Sequence, residues 1–416
     1  MELEEISILT KWLDFNKKNS RFWSNIILFL MSISFVVTDW MIVIFTVSDY
    51  IFALVGISLF ISGNYKIKRR QLLWILLILG VIAANIVMNV YNNEAFVLKT
   101  GTAAFIRVSY YVAIIVGVYN YVKDQHLETR FLKTLNIIAI IVCFIGIYIT
   151  IALYSEGQLP YEFFWKFTRT DLASFVFKEN TALIRTRSIF SEPAYLGYFL
   201  NVILTMNYFN GVHVKINKSF SVIISLTLLL TFSYSAIGIM LMIQFLNLVY
   251  KIRLKKFKWT NKTTVYVLLL VGIIMFSWDF IDETLIKRTA YIISGEDISA
   301  YNRIISSWSH INSEHIFLGN GIGHTPNVWN IYAYILSDLG LIAFILSCLF
   351  SLYLLLINFR LGMIFIVLNF QKGGYLNPAF SILLLLIFIY IEDKNQLSRS
   401  LNPKAINSNC DTRNLI

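Results

Sequence analysis

The segment Arg185-Thr-Arg-Ser-Ile-Phe-Ser-Glu-Pro-Ala-Tyr-Leu-Gly197 sets two arginines, a glutamate and a proline at the threshold of an apolar helix. The planar forks of Arg185 and Arg187 suit bidentate binding of phosphate oxygens, which lysine binds less specifically. Anionic lipid head groups are the alternative ligand for loop arginines of this kind. Glu192 beside Pro193 fits a helix's first turn, where an acid complements the dipole, so it reads either as a cap or as a proton acceptor. Farther along, Lys287, Arg288, Arg303, His310, His315 and His324 form a second polar set. His324 is the first candidate for a general base and Glu192 the second. Arg107 stands apart, about two turns inside an apolar helix. An intramembrane arginine is a functional candidate, with snorkelling to the surface as the other reading. Asp49 also lies inside a helix and has no partner apparent in sequence, whereas Asp39 falls in a short turn and reads as solvated. Gly319-Asn-Gly-Ile-Gly323 follows no strand and precedes no Lys-Ser/Thr, so it reads as a flexible turn rather than a phosphate loop. No His, Asp or Glu spacing suggests a metal, and no cofactor is expected.

These residues sit in a chain of 416 residues that is 57% hydrophobic and 14% charged. Such values define an integral membrane protein rather than a large soluble core. Apolar runs long enough to cross a bilayer recur from Trp23 to Ile391. Helices are predicted at 22–38, 41–62, 72–91, 101–121, 134–154, 192–210, 219–232, 235–250, 263–281, 328–357, 361–371 and 378–391. The polar start of the chain enters a spanning helix with no small-residue cleavage site, so no signal peptide is expected. Cys143, Cys348 and Cys410 lie far apart and suggest neither a disulfide framework nor a metal cage. The reading is one transmembrane domain over 1–391, all-α and polytopic with about 12 helices, followed by a cytoplasmic tail at 392–416.

The net charge of +11 follows topology and not nucleic acid. With the N-terminus inside, about 24 of the 35 Lys and Arg fall on inner segments, among them Lys66-Ile-Lys-Arg-Arg70 and the run Lys251–Lys262. The same rule divides the apolar stretch 219–250 into two short helices turning at Ser233-Tyr234-Ser235, because one long helix would throw Lys251–Lys262 outside. Both termini are then cytoplasmic. Two outer loops are long, at about 155–191 and 282–327. The first carries the aromatic run Pro160-Tyr-Glu-Phe-Phe-Trp-Lys-Phe167, suited to the interfacial belt. In the second, apolar residues at 301, 304, 305 and 308 follow helical spacing and predict a short amphipathic surface helix. The arginines of these loops run against the positive-inside trend, which marks them out.

The chain resembles the O-antigen polymerase and ligase superfamily of bacterial membrane glycosyltransferases. Three segments carry the resemblance: Arg185-x-x-Ser-x-Phe190-x-Glu-Pro193; Thr231-Phe-Ser-Tyr-Ser-Ala-Ile-Gly238 between paired short helices; and Arg303 through Trp308 and Gly319-Asn-Gly-Ile-Gly323 to Asn330-Ile-Tyr-Ala-Tyr-Ile-Leu-Ser-Asp-Leu-Gly-Leu-Ile342. It covers 180–345 by motif and the whole chain by topology. The sequence departs from the pattern at Tyr234, where members often carry arginine, and at Trp329, where ligases usually place histidine. The second departure favours polymerase over ligase.

The resemblance implies a GT-C-like architecture in the bacterial inner membrane. It also implies a reaction at the outer face that joins oligosaccharide repeats carried on undecaprenyl pyrophosphate, with one lipid-linked glycan as donor and another as acceptor. Arg185, Arg187, Arg288, Arg303 and Arg107 are then the candidates for holding the pyrophosphate leaving group, which preorganised arginines can stabilise without a metal ion. Expected partners are the lipid-linked donor and acceptor, membrane lipids and a chain-length regulator, with no nucleic acid. The alternatives are a ligase that transfers glycan to lipid A core, and a flippase or transporter for the same lipid-linked glycan. The topology has a direct check: a cysteine placed by Lys256→Cys should be labelled only after the membrane is permeabilised, and labelling in intact cells overturns the two-helix reading of 219–250.

Overall fold

The computed structural model describes residues 22–155, 158–169, 174–176, 183–253, 282, 286–326, 328–371 and 374–391. The helix expected at 263–281 and the tail at 392–416 lie outside these residues. The first long outer loop is described only in part.

Helices dominate. The chain opens with α1 (Phe22–Val36) and a two-residue-per-strand hairpin, β1 (Met41–Ile42) with β2 (Phe45–Thr46). It continues through α2 (Val47–Ile61), α3 (Arg69–Asn92), α4 (Leu98–Asp124) and α5 (Glu128–Tyr154). After the first long loop come α6 (Pro193–Phe209), α7 (Lys218–Leu230) and α8 (Tyr234–Arg253). The second loop holds α9 (Lys287–Ser294) and α10 (Ile298–Ile304), and the chain then runs into α11 (Ile331–Ile357), α12 (Phe359–Asn369) and α13 (Pro378–Tyr390). Five of these helices are long and apolar enough to cross a membrane by length and composition. The protein is an all-α, membrane-embedded chain.

The sequence places a helix over 41–62, but its first residues form the hairpin instead. Met41-Ile-Val-Ile-Phe45 is rich in β-branched residues, which favour extended backbone. The helix starts where Thr46 and Asp49 close a capping box: the Thr46 side chain accepts from Asp49 N–H, and the Asp49 carboxylate accepts from Thr46 N–H at 2.9 Å. The stretch 219–250 divides in two as expected, but the turn lies at 231–233 rather than at Ser233–Ser235, and Tyr234 already opens α8. The amphipathic segment is shorter than its spacing suggests. Tyr301, Ile304 and Ile305 are exposed, but the chain tightens into a 3-10 turn at Ser306–Trp308, and Trp308 packs edge-on to Phe344.

Loops and helix ends gather at two opposite ends of the bundle. At one end Tyr390 Oη donates to Glu128 O (2.8 Å), Gly211 N–H donates to Tyr390 O (2.7 Å), and Asn358 Nδ2 donates to Phe209 O (3.1 Å). The basic segment 66–70 is at this end, where Lys68 pairs with Asp124 at 3.1 Å. At the other end Trp40 Nε1 donates to Ile189 O (2.8 Å), Thr186 N–H to Leu230 O (2.9 Å), and Val97 N–H to His324 Nε2 (2.8 Å). Most polar residues singled out in the sequence therefore share one end, away from Lys66–Arg70.

The run 328–357 is read from sequence as one helix, and α11 is not one straight rod. In a straight helix Tyr332 and Ser351 would stand about 28 Å apart at 1.5 Å per residue. Instead their hydroxyls lie 2.8 Å apart. The chain folds back at Gly340, whose φ of 77° and ψ of −172° leave helical space. The first limb, 331–339, spans only about 13 Å and is too short to cross a bilayer core of about 30 Å. It doubles back on the second limb in the manner of a re-entrant helix and is led by Asn330, whose Oδ1 accepts from Tyr332 N–H (3.0 Å) and Ala333 N–H (3.4 Å). Only glycine fits the break: a Cβ at Gly340 would meet Phe317 O at 2.1 Å. Gly340→Ala should therefore cost about 3 kcal/mol or more, seen as a large drop in the unfolding temperature of the purified protein; an unchanged temperature overturns the fold-back.

Candidate functional site

The break in α11 frees backbone groups that a continuous helix would have used, and the glycine segment and the residues before it fill them. Asn320 N–H donates to Ser337 O (2.7 Å) and Gly321 N–H to Asp338 O (3.0 Å), while the freed Leu341 N–H donates to Ile316 O (2.9 Å). Gly319, Gly321 and Gly323 all have positive φ, at 67°, 91° and 77°. A Cβ on Gly319 would strike the Asp338 carbonyl at 2.7 Å. The segment read as a flexible turn is thus a packed plug. Its amides point at protein oxygens, which leaves no phosphate cradle.

Asp338 anchors the plug. Its side chain is fully buried and accepts three hydrogen bonds: Thr325 N–H to Oδ1 (2.8 Å), Gly323 N–H to Oδ2 (2.8 Å) and Tyr375 Oη–H to Oδ2 (2.7 Å). A buried carboxylate needs such donors to remain. Tyr375 in turn packs edge-on to Tyr334, with ring centroids 5.1 Å apart. Sequence reasoning did not weigh Asp338 or Tyr375. The available signal was an acid in an apolar run two residues before a glycine.

Between the two amides held by Asp338 lies His324. Its ring stacks on Phe96 at 4.4 Å, and its Nε2 accepts the N–H of Val97, the cap residue of α4. An accepting Nε2 puts the proton on Nδ1, which faces Ile322 O at 3.1 Å. The lone pair that a general base would use is committed to α4.

Farther down α4 is Arg107, half-buried, with its guanidinium 3.9 Å from Asp49 Oδ2. It makes no hydrogen bond among the described residues. Asp49 is occupied elsewhere: Oδ1 accepts from Tyr111 Oη (2.6 Å), and Oδ2 accepts from Thr46 N–H and Thr46 Oγ1 (2.9 Å each). The partners that sequence could not name are thus Tyr111 and Thr46, with Arg107 nearby. Tyr334 of the re-entrant limb lies within electrostatic reach of Arg107.

The first long loop sets Arg185 and Arg187 at the same end. Arg187 is 1% exposed, its guanidinium stacked 3.6 Å above Trp165 with Phe175 at 5.6 Å, and its Nη1 donates to Ser191 O at 2.8 Å. This geometry makes Arg187 part of the wall and withdraws it from direct contact with a ligand. Arg185 is half-buried, with Nε 3.4 Å from Thr231 O at the α7–α8 turn. Glu192 occupies the cap position of α6 without a side-chain cap, and its carboxylate pairs with Arg169. Asp39, read as solvated, is half-buried and accepts Ser191 N–H at 2.6 Å. Arg303 is half-buried in the last turn of α10, and Lys287 lies 3.6 Å from Asp282. Arg288 is the second residue of α9, and its side chain lies outside the described residues. Among the described residues no three His, Cys, Asp or Glu side chains converge.

Fold and site together define a polytopic helical membrane protein whose polar machinery sits at one end, around a broken helix. Compared with known protein families, curated proteins and solved structures, the chain matches none.

The role of His324 separates cleanly. A glutamine can accept the Val97 N–H through Oε1, so His324→Gln should hold stability within about 0.5 kcal/mol while His324→Ala loses about 1 kcal/mol, as for other lost caps. Equal losses in the two variants, read by thermal unfolding, remove the capping role.

Proposed function

We propose that the chain is a membrane glycosyltransferase of the polysaccharide-polymerase kind, working at the outer face of a bacterial inner membrane with both termini cytoplasmic. It joins oligosaccharide repeats carried on undecaprenyl pyrophosphate. The observation that carries this reading is Arg107. It is a guanidinium within the bundle that makes no hydrogen bond among the described residues, 3.9 Å from a carboxylate already engaged by other donors, at the end where the long loops converge. A cation held that loosely in an apolar setting suits an anionic ligand arriving from the membrane surface.

In the reaction, a hydroxyl of the acceptor sugar attacks the anomeric carbon of the donor. The bond from that carbon to the pyrophosphate oxygen breaks, and the leaving group takes the electron pair. Arg107 stabilises the charge that grows on it, with Arg185 and Arg303 at the rim. The attacking hydroxyl must lose its proton. Because His324 already spends its lone pair on α4, Glu192 beside Arg169 becomes the better acceptor.

A second reading, transport of the same lipid-linked glycan, draws support from the re-entrant limb 331–339. Broken helices with their ends inside the bundle are a recurrent feature of transporters. A deletion strain distinguishes these readings: loss of a polymerase leaves single capped repeats at the cell surface, loss of a ligase leaves long glycan on the carrier, and loss of a flippase traps repeats inside. In the complemented strain, Arg107→Ala should lower polymer yield roughly 100-fold, in line with removal of one preorganised donor to a developing anion. Full-length polymer at normal yield from Arg107→Ala overturns the assignment.

A further inference from the structure

Among the described residues, six buried polar atoms without a hydrogen-bond partner lie on neighbouring parts of the bundle: Nδ2 of Asn330, Oδ1 of Asn369, both amide atoms of Gln371, Oδ1 of Asn201 and Oγ of Ser235. Asn330 leads the re-entrant limb, Asn369 ends α12, and Gln371 follows two residues later. Asn201 and Ser235 belong to α6 and α8.

Short contacts tie them together. Asn369 Nδ2 donates to Tyr332 Oη at 3.2 Å, and Tyr332 packs on Phe370 with ring centroids 5.5 Å apart. The Gln371 amide lies over Gly197, with Nε2 3.6 Å from where a Cβ would stand. One turn on from Gly197, Asn201 Nδ2 donates to Ala236 O at 2.9 Å, beside Ser235. Native proteins seldom bury polar atoms unpaired, because each instance lowers stability, and those that persist call for a functional reason. Here all the side chains are neutral. That argues against an ion and for a ligand offering both donors and acceptors.

The position narrows the ligand class. Gly197 is one turn into α6 from Pro193, which directly follows Glu192. Ser235 follows Thr231, whose carbonyl faces Arg185 Nε, by four residues. The neutral atoms therefore lie below the arginine-bearing threshold, with the Tyr332–Phe370 pair beside them.

We propose that these atoms form the floor of a saccharide site, in which the Gln371 amide engages a hydroxyl or acetamido group of a neutral sugar. This rests on the glycan reading above. Gln371 is 1% exposed, so engaging the sugar requires the floor to open. The amide is then kept for binding at the expense of stability, which gives two readouts that move in opposite directions.

The test uses the full chain carrying Gln371→Met, an apolar side chain of similar length. In the deletion strain the variant should give at least 10-fold less polymer than wild type. Purified, its unfolding temperature should be unchanged or higher by roughly 1–3 °C. Normal polymer from Gln371→Met overturns the saccharide floor. So does a drop of several degrees, which shows the amide to be bonded within the fold. A deletion strain with unaltered surface glycan defeats the glycan reading itself, whereas a deletion phenotype fully cured by Gln371→Met defeats the saccharide floor alone.

Discussion

The seating of 319–325 against the break at Gly340 holds the site end of this protein together. A helix interrupted inside a bilayer exposes carbonyls that water cannot reach, and each must find a donor from the protein itself. Here the donors are amides of the glycine segment, brought close because three of its residues have no side chain and take up positive φ. Asp338 then fixes the amides on both sides of His324, and His324 closes the start of α4. One backbone vacancy thus sets the position of a loop, a histidine and the helix that carries Arg107.

The arginines separate into different physical situations. Arg187 is enclosed by Trp165 and Phe175, where cation–π attraction replaces hydration and a rigid loop wall results. Arg107 lies at an ion-pair distance too long for a hydrogen bond, against a carboxylate already satisfied by Tyr111 and Thr46. The first arrangement builds the entrance to α6, and the second leaves a cation responsive to an incoming anion. Glu192 stands beside the first group, at the cap position of α6 and paired with Arg169, where the proposed reaction uses it as proton acceptor.

Helices were legible in the sequence because apolar runs and positive charge alternate over most of the chain. Charge alone divides the apolar run 219–250 in two, but it places the turn at 233–235, two residues beyond where it lies. The hairpin at Met41–Thr46 was missed because hydropathy does not separate a β-branched apolar strand from a helix. The fold-back at Gly340 was missed for a related reason. A single glycine in an apolar helix is commonplace, and only the distant segment 316–321 makes this one a corner. The partners of Asp49 and the stacking of Arg187 depend on residues far away in sequence or on aromatic contacts that spacing cannot show. The threshold residues Arg185, Arg187 and Glu192 lie together because they are close in sequence, whereas their surroundings at Thr231, Trp165 and Arg169 were not foreseeable.

The α3–α4 hairpin has its own relation to the plug. Most of α3 faces outward, and hydrogen bonds at its far end tie the hairpin to the glycine segment: Asn85 Nδ2 to Leu318 O, Asn93 Nδ2 to Asn320 O and Val97 N–H to His324 Nε2. Their partners lie more than 220 residues later in the chain. During synthesis, then, this hairpin must wait in the membrane until the last quarter of the protein has been made. Its polar stitches close only when the glycine segment arrives, so the far end of the hairpin is among the first parts to be inserted and among the last to be tied in place.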